Sequence, residues 1–364
     1  MVTAPSLDQS LGLPTEYVPH RVKHFDVQRI ILSKGSLETP ARKLFARGIC
    51  AAYPKARVEE HLDTPHNRIR LSESDPLKRL SQGKKTLVLG ELDKSLLRHR
   101  QKRSTDPPDY WYFSIYGHCP YGCSYCWLAG TKGVWYSPTV KIYVNLPEIM
   151  DRISREACRT KSPTGFHVGR FHDGLALDPL TAYSTVLVPF FARHKYARQI
   201  VLTKSDAVER LLDLEHGGNT ILTWSLNPPE VVRRFEVNVP SVEARINAMQ
   251  KCVEKGYPVR ASIEPVIPDG EWEAHYTDFI RDLLSRVPLQ RLYLGKLYMC
   301  PNALYLTQRR MGKDNAISRS LANERRTRAV GRSMSVYLDE AFRKLAHLAK
   351  NIQPGLEIGY CSML

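Results

Sequence analysis

The sequence lacks any apolar run near the roughly 18 residues that a helix needs to cross a bilayer. Its opening residues, MVTAPSLDQSLGLPTEY, lack the basic start and the apolar centre of a secretory signal peptide. Cysteine is also scarce, with eight in 364 residues. These absences predict a cytoplasmic protein without a membrane partner, in a compartment where thiols stay reduced. The few cysteines are therefore expected to serve metal or redox chemistry rather than disulfides.

Acidic residues are in short supply relative to basic ones. The chain has 53 Lys and Arg against 37 Asp and Glu, a formal net charge of +16. This excess predicts an anionic partner, either DNA or a nucleotide phosphate, because basic surfaces attract phosphate without identifying its source. A basic surface that only aids solubility is the alternative.

Internal repeats and low-complexity tracts are absent, and four segments differ in pattern. We expect a flexible leader over residues 1–20 and an N-terminal extension over 21–108, which ends in the basic linker RHRQKRSTDPPD. Residues 109–300 carry a regular strand–helix alternation. Residues 301–364 form a basic, helical C-terminal segment that is expected to pack on the preceding body.

The alternation after residue 110 predicts the fold class. Apolar strand-like runs such as WYFSIYG, RQIVLTKS and VRASIEPVIP alternate with amphipathic helical patterns such as DAVERLLDLEHG and SVEARINAMQKCVEKG. Such repeats form a parallel sheet, either doubly wound or curled into a barrel. Six units are too few for a closed eight-stranded barrel, so a partial barrel is expected, with its functional loops at the carboxyl ends of the strands.

Three of the eight cysteines lie within the stretch GHCPYGCSYCWLAG, as Cys119, Cys123 and Cys126. They directly follow the first predicted barrel strand. A structural zinc site uses four ligands, usually from two separated pairs, and the sequence has no second C-x-x-C pair. Three thiolates also suit a cubane iron–sulfur cluster with one open iron. A zinc loop that recruits His118 as the fourth ligand is the alternative.

The cysteine loop resembles the signature of radical S-adenosylmethionine (SAM) enzymes, with Tyr125 as the aromatic residue before the last cysteine. The resemblance narrows to the spore photoproduct lyases and runs from about residue 25 to the C-terminus. It is carried by segments that occur in the same order in both: KTLVLG, HNRIR, VKIYVNLPEI, VLTKS, ERLLDLEHGGNT, WSLN and EKGYPV.

The resemblance implies a partial (β/α)6 TIM-type barrel of the radical SAM class, with a small α+β N-terminal extension. It implies that the three cysteines ligate a 4Fe–4S cluster and that SAM binds the open iron. An electron from a donor such as flavodoxin or ferredoxin would then cleave SAM to methionine and a 5′-deoxyadenosyl radical. Lys204 and Ser225 match SAM-contacting positions of the family, and Asn227 and Tyr125 are further candidate cofactor contacts. Without the resemblance, Lys204 and Ser225 are equally well interpreted as ordinary strand-end residues.

The sequence departs from the family where hydrogen is returned to the substrate. The lyases use a cysteine in a pattern like F-E-x-x-C-T-S-D-P, whereas this chain reads RFHDGLALDP. Asp178 and Pro179 keep the register, and Leu175 stands at the cysteine position. A tyrosine that follows the third cluster cysteine in the family is Trp127 here, although Tyr125 remains. Unaltered lesion repair is therefore not expected.

Other polar residues end predicted barrel strands. His172 and Asp173 follow the second strand and are candidate substrate contacts, and Glu264 follows the fifth and is a candidate catalytic group. An ion pair of Glu264 without a chemical role is the alternative. Cys300, Cys361 and the candidate catalytic residue Tyr125 are possible replacement hydrogen donors, although a free cysteine is often an inert, buried residue.

The late segment QRRMGKDNAISRSLANERRTRAVGR is strongly basic. In the lyases, the comparable stretch helps to bind DNA and places an aromatic residue beside a double arginine. Here Thr327 follows Arg325 and Arg326, which we expect to bind a substrate phosphate. Loss of the aromatic weakens the case for opening a base stack.

Two enzymatic functions and one binding function follow. The main expectation is a radical SAM lyase or mutase that abstracts hydrogen from a free deoxynucleotide phosphate, as in nucleoside natural-product biosynthesis. The second is a DNA repair lyase that reverses a thymine dimer, the spore photoproduct, with a non-standard hydrogen donor. The third is a non-catalytic nucleic-acid-binding relative with a structural cluster, which the intact cysteines and Lys204 argue against.

Overall fold

The structure is a computed structural model, and it describes residues 12–14, 16–92, 97–100, 110–322, 334–335 and 339–361. Residues 1–11 and Thr15 of the expected leader lie outside this part of the chain. Within the leader, the Tyr17 hydroxyl donates to the carbonyl oxygen of Leu180 at 2.9 Å. None of the described helices is both long enough and apolar enough to cross a bilayer.

The described residues form fifteen strands and twelve α-helices. The strands are β1 (Arg29–Ser33), β2 (Arg57–His61), β3 (Thr86–Gly90), β4 (Leu97–Arg100), β5 (Tyr110–Phe113), β6 (Tyr116–Gly117), β7 (Val140–Tyr143), β8 (Thr164–Val168), β9 (Ala197–Thr203), β10 (Thr220–Leu226), β11 (Val259–Ile263), β12 (Arg291–Gly295), β13 (Tyr298–Met299), β14 (Met334–Ser335) and β15 (Glu357–Cys361). The helices are α1 (Pro40–Ala52), α2 (Pro76–Gly83), α3 (Lys132–Tyr136), α4 (Leu146–Thr160), α5 (Asp178–Thr181), α6 (Ser184–Arg193), α7 (Pro229–Phe235), α8 (Val242–Glu254), α9 (Trp272–Arg286), α10 (Pro301–Met311), α11 (Ala316–Ala322) and α12 (Asp339–Ile352).

The larger sheet is a curled, mostly parallel half barrel. Its strand order is β15-β12-β11-β10-β9-β8-β5-β4. The first seven strands in this order are parallel, and β4 pairs antiparallel with β5 at one edge. Each residue of β11 is buried, as expected for a parallel strand that is covered on both faces. The prediction of a partial TIM-type barrel is confirmed. The sheet has one parallel strand more than the six predicted units, because β15 of the C-terminal segment pairs with β12.

The smaller sheet has the order β2-β1-β3-β7-β6, in which β1, β2, β3 and β7 are parallel. Its members β6 and β7 come from beyond residue 108, so the two sheets interlock along the chain. The predicted strand WYFSIYG is divided between the sheets, since β5 joins the barrel and β6 pairs antiparallel with β7. The chain that carries the three cysteines therefore leaves directly from the junction of the two sheets.

The helix predicted over DAVERLLDLEHG is absent from the described structure of that segment, which consists of consecutive turns. The Ser205 hydroxyl accepts from the Ala207 amide at 3.1 Å, and the Leu211 amide donates to the carbonyl of Val208. Such local side-chain bonds compete with an α-helix. Leu211 is nevertheless buried. The apolar pattern of this segment therefore arises from packing against the core and not from a helix.

Candidate active site at the carboxyl ends of the barrel strands

A cavity of about 150 Å³ lies where the barrel strands end. The cysteine loop forms one wall with Cys119, Cys123, Tyr125, Cys126 and Trp127. The strand ends form the opposite wall with Gly169, His172, Asp173, Lys204, Ser225 and Glu264. Nine of the residues predicted from the sequence therefore meet in one place. They are the three cysteines, Tyr125, His172, Asp173, Lys204, Ser225 and the candidate catalytic group Glu264.

The cysteine loop is held by backbone hydrogen bonds that do not involve its thiols. The Gly122 amide donates to the Val237 carbonyl at 2.8 Å, and the Ser124 amide donates to the Phe235 carbonyl at 2.7 Å. Lys84 reaches over from the end of α2 and donates to the carbonyls of Cys119 and Tyr121. The backbone of the loop is thus anchored to the end of α7 and to Lys84 at the end of α2.

The thiols themselves suit a metal cluster. All three are free, and burial raises the pKa of Cys119 and raises that of Cys123 to about 12. A buried thiolate needs a cation, and metal coordination supplies one. Among the described residues, no three His, Cys, Asp or Glu side chains converge as tightly as the ligands of a single metal ion do. Three soft thiolates on one loop are the ligand type that iron–sulfur clusters use.

The zinc alternative needed His118, and the geometry argues against it. His118 Nδ1 lies 2.9 Å from the carbonyl oxygen of Pro138, which makes Nδ1 the hydrogen-bond donor. His118 also lines a different cavity from the three cysteines. Burial, aided by Lys84 and Lys141, holds the pKa of the His118 imidazole well below its usual range.

Lys204 connects the candidate cofactor contacts. Its Nζ lies 2.7 Å from Ser225 Oγ, 3.2 Å from the Tyr125 hydroxyl and 3.1 Å from Glu236 Oε1. The Tyr125 hydroxyl also donates to Glu236. Lys204, Ser225 and Tyr125 thus form one hydrogen-bonded group on the cavity wall, with an ammonium suited to a carboxylate ligand.

Glu236 is the residue that the sequence did not reveal. Its carboxylate is fully buried and pairs with Lys204 and, at 2.6 Å, with the equally buried guanidinium of Arg245. Burial opposes the charge, but Lys204 and Arg245 outweigh it and lower the pKa of Glu236 to about 2. Arg245 also donates to the Ser225 carbonyl at 3.2 Å, which ties the ion cluster to the end of β10.

Asn227 does not line the cavity and lies behind Tyr125. It is fully buried, and its Nδ2 lies 3.5 Å from the Tyr125 hydroxyl. Its Oδ1 accepts from the Tyr276 hydroxyl at 2.8 Å. These contacts support a positioning role for Asn227, whereas the direct cofactor contact that we expected stays a prediction.

His172 and Asp173 line the cavity but differ in whether their side chains keep a free hydrogen-bonding atom. The Asp173 carboxylate already accepts from Thr203 Oγ1 and from the amides of Lys204, Leu175 and Ala176, at 2.6 to 3.0 Å. This carboxylate therefore fixes the turn after β8. His172 donates through Nδ1 to the Asp173 carbonyl, and its buried Nε2 has no partner among the described residues. Burial lowers the pKa of His172 to about 4, so its ring is neutral at neutral pH.

Glu264 ends β11 and faces the cavity with a free oxygen. Its Oε1 is buried and has no hydrogen-bond partner in the described part of the chain. Gly295, the last residue of β12, makes room for this side chain, because a Cβ there would lie 2.5 Å from Glu264 Cγ. A substrate that donates a hydrogen bond would satisfy this oxygen.

Neither Leu175 nor Cys300 is among the residues that line the cavity. Leu175, at the family's cysteine position, is 4% exposed and packs in the apolar core. Cys300 begins α10 with its Sγ 3.7 Å from the Trp127 carbonyl oxygen, behind the cavity. The side chain of Cys361 is not described. Arg325, Arg326 and Thr327 lie outside the described residues, so the phosphate contacts expected of the arginines stay predictions.

A curled parallel sheet with three cysteines on the loop that follows its first strand is the architecture of a radical SAM half barrel. The family model of spore photoproduct lyase matches residues 27–310, and the chain therefore belongs to the spore photoproduct lyase family. This confirms the predicted resemblance. The predicted enzyme class, a radical SAM lyase, is that of this family.

Individual relatives and solved structures agree with the family assignment. The chain is 28% identical to the spore photoproduct lyase of Geobacillus sp. (strain Y412MC61) over 232 residues, and 28% identical to that of Bacillus subtilis (strain 168) over 234 residues. Each match covers 66% of the relative and 63% or 64% of this chain. A solved spore photoproduct lyase mutant with bound AdoMet and dinucleoside spore photoproduct superposes with a TM-score of 0.79 at 23% identity, and it covers 93% of this chain and 100% of its own. This likeness confirms the fold.

Proposed function

We propose that the protein is a radical SAM enzyme that acts on a thymine lesion of the spore photoproduct type, with a hydrogen donor other than the family's cysteine. One observation carries the proposal: the three cysteines, Lys204 and Ser225 meet in one cavity at the carboxyl ends of the barrel strands. The family match over residues 27–310 and the lesion bound in structural neighbours support this substrate over a free deoxynucleotide.

The chain's own residues would bind and orient the reactants. A 4Fe–4S cluster on Cys119, Cys123 and Cys126 would supply the electron that cleaves SAM into methionine and a hydrogen-abstracting 5′-deoxyadenosyl radical. Lys204 would pair with the carboxylate of SAM, and Ser225 would fix the lysine. Tyr125 would be the hydrogen donor, because it lines the cavity and its hydroxyl lies within hydrogen-bond distance of Lys204 and Glu236.

The remaining partners are proposed on chemical grounds. The reaction needs a one-electron donor, and a protein of the flavodoxin or ferredoxin type is suited to it. Reduced thiolates and an oxygen-sensitive cluster favour the cytoplasm. The basic net charge of +16 favours a polyanionic substrate strand.

A free deoxynucleotide phosphate, rearranged in a nucleoside biosynthetic reaction, is the second candidate. It is favoured by Leu175, which fills the donor position with a core side chain. A rearrangement that keeps the abstracted hydrogen within the substrate needs no thiol there.

Anaerobic turnover separates the two candidates. The protein with reconstituted cluster, SAM and dithionite is expected to convert dinucleoside spore photoproduct to the repaired dinucleotide and to form 5′-deoxyadenosine. Deoxynucleoside monophosphates are expected to remain unchanged. Conversion of a monophosphate without lesion repair would replace the main proposal by the second candidate, and absence of 5′-deoxyadenosine with every substrate would contradict both.

Replacement of Glu264 tests its role toward the substrate. Glu264→Gln removes the charge from the unpartnered oxygen and keeps the shape of the side chain. Because hydrogen bonds to charged groups contribute about 1.5–3 kcal/mol, we expect kcat/KM for the lesion to fall by roughly 10- to 100-fold. SAM affinity should not change.

The matched control is Glu271→Gln, which removes an exposed carboxylate at the start of α9. It should leave kcat/KM within twofold of the wild-type value. Equal kinetics of Glu264→Gln and wild type would show that Glu264 does not contact the substrate.

A further inference from the structure

A second cavity, of about 380 Å³, lies between the smaller sheet and the barrel. His66 follows β2, Leu92 follows β3, Tyr143 ends β7, and Tyr112 and Phe171 come from the barrel side. In the order β2-β1-β3-β7, the chain runs from β1 to one side and then crosses back to the other. Such a switch point at the carboxyl ends of parallel strands is where open α/β sheets bind ligands. The cavity shares only Leu128 with the central cavity.

Two buried polar side chains line this cavity and are held by one short segment. Lys141 donates to the carbonyls of Ser137 and Thr139, at 2.9 and 3.0 Å. His118 donates through Nδ1 to the carbonyl of Pro138, the residue between them, at 2.9 Å. Three consecutive carbonyls therefore position an ammonium and an imidazole side by side.

Both side chains keep unused hydrogen-bonding capacity. Lys141 is 6% exposed, and burial lowers its pKa to about 7. Its ammonium form has three N–H donors, of which the two described carbonyls use two. Among the described residues that line the cavity, none is an Asp or Glu. His118 is 3% exposed, and its Nε2 is buried without a partner in the described structure. A neutral ring that donates through Nδ1 presents a lone pair at Nε2. Lys141 and His118 therefore place one unused donor and one unused acceptor among the residues that line the cavity.

The rest of the lining is aromatic. Tyr112, Tyr116, Tyr143 and Phe171 contribute rings, and the Tyr112 and Phe171 ring centroids lie 6.0 Å apart. Aromatic walls favour a flat, conjugated ligand, because every base has a π-face for stacking. The donor and acceptor match a ring edge with neighbouring acceptor and donor atoms, as the hydrogen-bonding edges of the nucleobases have.

We propose that this cavity binds a nucleobase, with an N–H of its edge donated to His118 Nε2 and an adjacent oxygen or nitrogen accepting from Lys141 Nζ. The base belongs either to a free nucleoside or to a strand that extends from the central cavity. Binding here needs neither SAM nor an iron–sulfur cluster. This proposal can therefore be tested separately from the proposed reaction.

Calorimetric titration of the full-length protein, without SAM or reductant, tests the site. The probes are the four deoxynucleosides, a short single-stranded oligonucleotide and deoxyribose 5-phosphate, which has no base. We expect saturable binding of at least one base-containing probe and none of the sugar phosphate. Methylation of the donor nitrogen, as in N3-methylthymidine for thymidine, should weaken binding at least tenfold.

Three variants locate the binding. Lys141→Met removes the donor, and Gly133→Phe fills the cavity from a position where a Cβ meets nothing within 4 Å. Each should weaken binding at least tenfold. Lys132→Met, which removes an exposed neighbouring charge, should leave nucleoside binding as it is.

Each outcome decides. Mononucleoside binding that is sensitive to Lys141→Met and Gly133→Phe supports a free ligand, and the same sensitivity with the oligonucleotide alone supports a base from a strand. The methylated nucleosides are titrated against the wild-type protein. The proposal can therefore still be tested if Lys141→Met does not fold. No base-dependent binding, or binding that is kept in both Lys141→Met and Gly133→Phe, overturns the proposal.

Discussion

Replacement of Cys119, Cys123 and Cys126 by alanine is expected to give a folded protein that holds no iron–sulfur cluster and forms no 5′-deoxyadenosine. Soft thiolates are the ligands that such clusters require, and all three cysteines face one cavity. Folding should survive, because the loop is held by bonds such as Gly122 to Val237 and Ser124 to Phe235. Iron content, visible absorption and SAM cleavage after anaerobic reconstitution measure the loss, which should exceed a thousandfold in rate.

Cys158→Ala is the matched control for the cluster experiment. Cys158 lies on α4, away from both cavities, and is half-buried with a free thiol. This variant should keep full iron content and full SAM cleavage. A triple alanine variant that still binds a cubane, or a wild-type protein that binds zinc instead, would contradict the assignment of the three cysteines.

Glu236→Gln is expected to lower the free energy of unfolding by about 3–5 kcal/mol, the usual range when one partner of a buried ion pair is removed. The amide would leave the guanidinium of Arg245 and the ammonium of Lys204 without a counter-charge. Lys204 would also lose its fixed position beside Ser225, so SAM affinity should fall. Urea unfolding and equilibrium SAM titration measure the two effects.

The pH dependence identifies the charge as the cause. The pKa of Glu236 is lowered to about 2, so its carboxylate stabilises the fold fully above the ordinary carboxyl pKa of about 4.5. That contribution disappears as the pH falls through 2. The difference in stability between wild type and Glu236→Gln should therefore shrink below pH 4.5.

Glu230→Gln serves as the control for Glu236. Glu230 pairs with Arg233 at 3.0 Å on the exposed surface of α7. Its replacement should change stability by less than about 0.5 kcal/mol. An equally small change in Glu236→Gln would show that the buried cluster does not stabilise the protein.

Local sequence predicted the parts of the site that depend on short-range spacing. The three cysteines lie within eight residues. Lys204 and Glu264 directly follow strands and Ser225 lies near the end of one, and the apolar pattern predicts all three strands. Strand ends of a parallel sheet converge, so residues at those positions meet once the fold class is known.

Long-range partners were not predictable in this way. Glu236 lies 32 residues after Lys204, in a segment with no strand-end or motif signal. Arg245 is on α8, where a charged residue is normally expected on the solvent face, yet its side chain is fully buried. Asp173 was expected to contact the substrate, but four donors already bind its carboxylate. The sequence does not show these donors, because they become neighbours only in the folded protein.

The sequence alone predicted the class of the fold and identified three cysteines as candidate cluster ligands, because apolar periodicity and ligand spacing act over a few residues. Only the tertiary structure decided which polar groups stay free. The fold satisfies the Asp173 carboxylate with hydrogen bonds and leaves one atom each of Glu264 and His172 without a partner among the described residues. It also creates the cavity of His118 and Lys141 between the two sheets. Hydrogen-bond satisfaction is a property of all neighbours of an atom, and the neighbours come together only when distant strands pair.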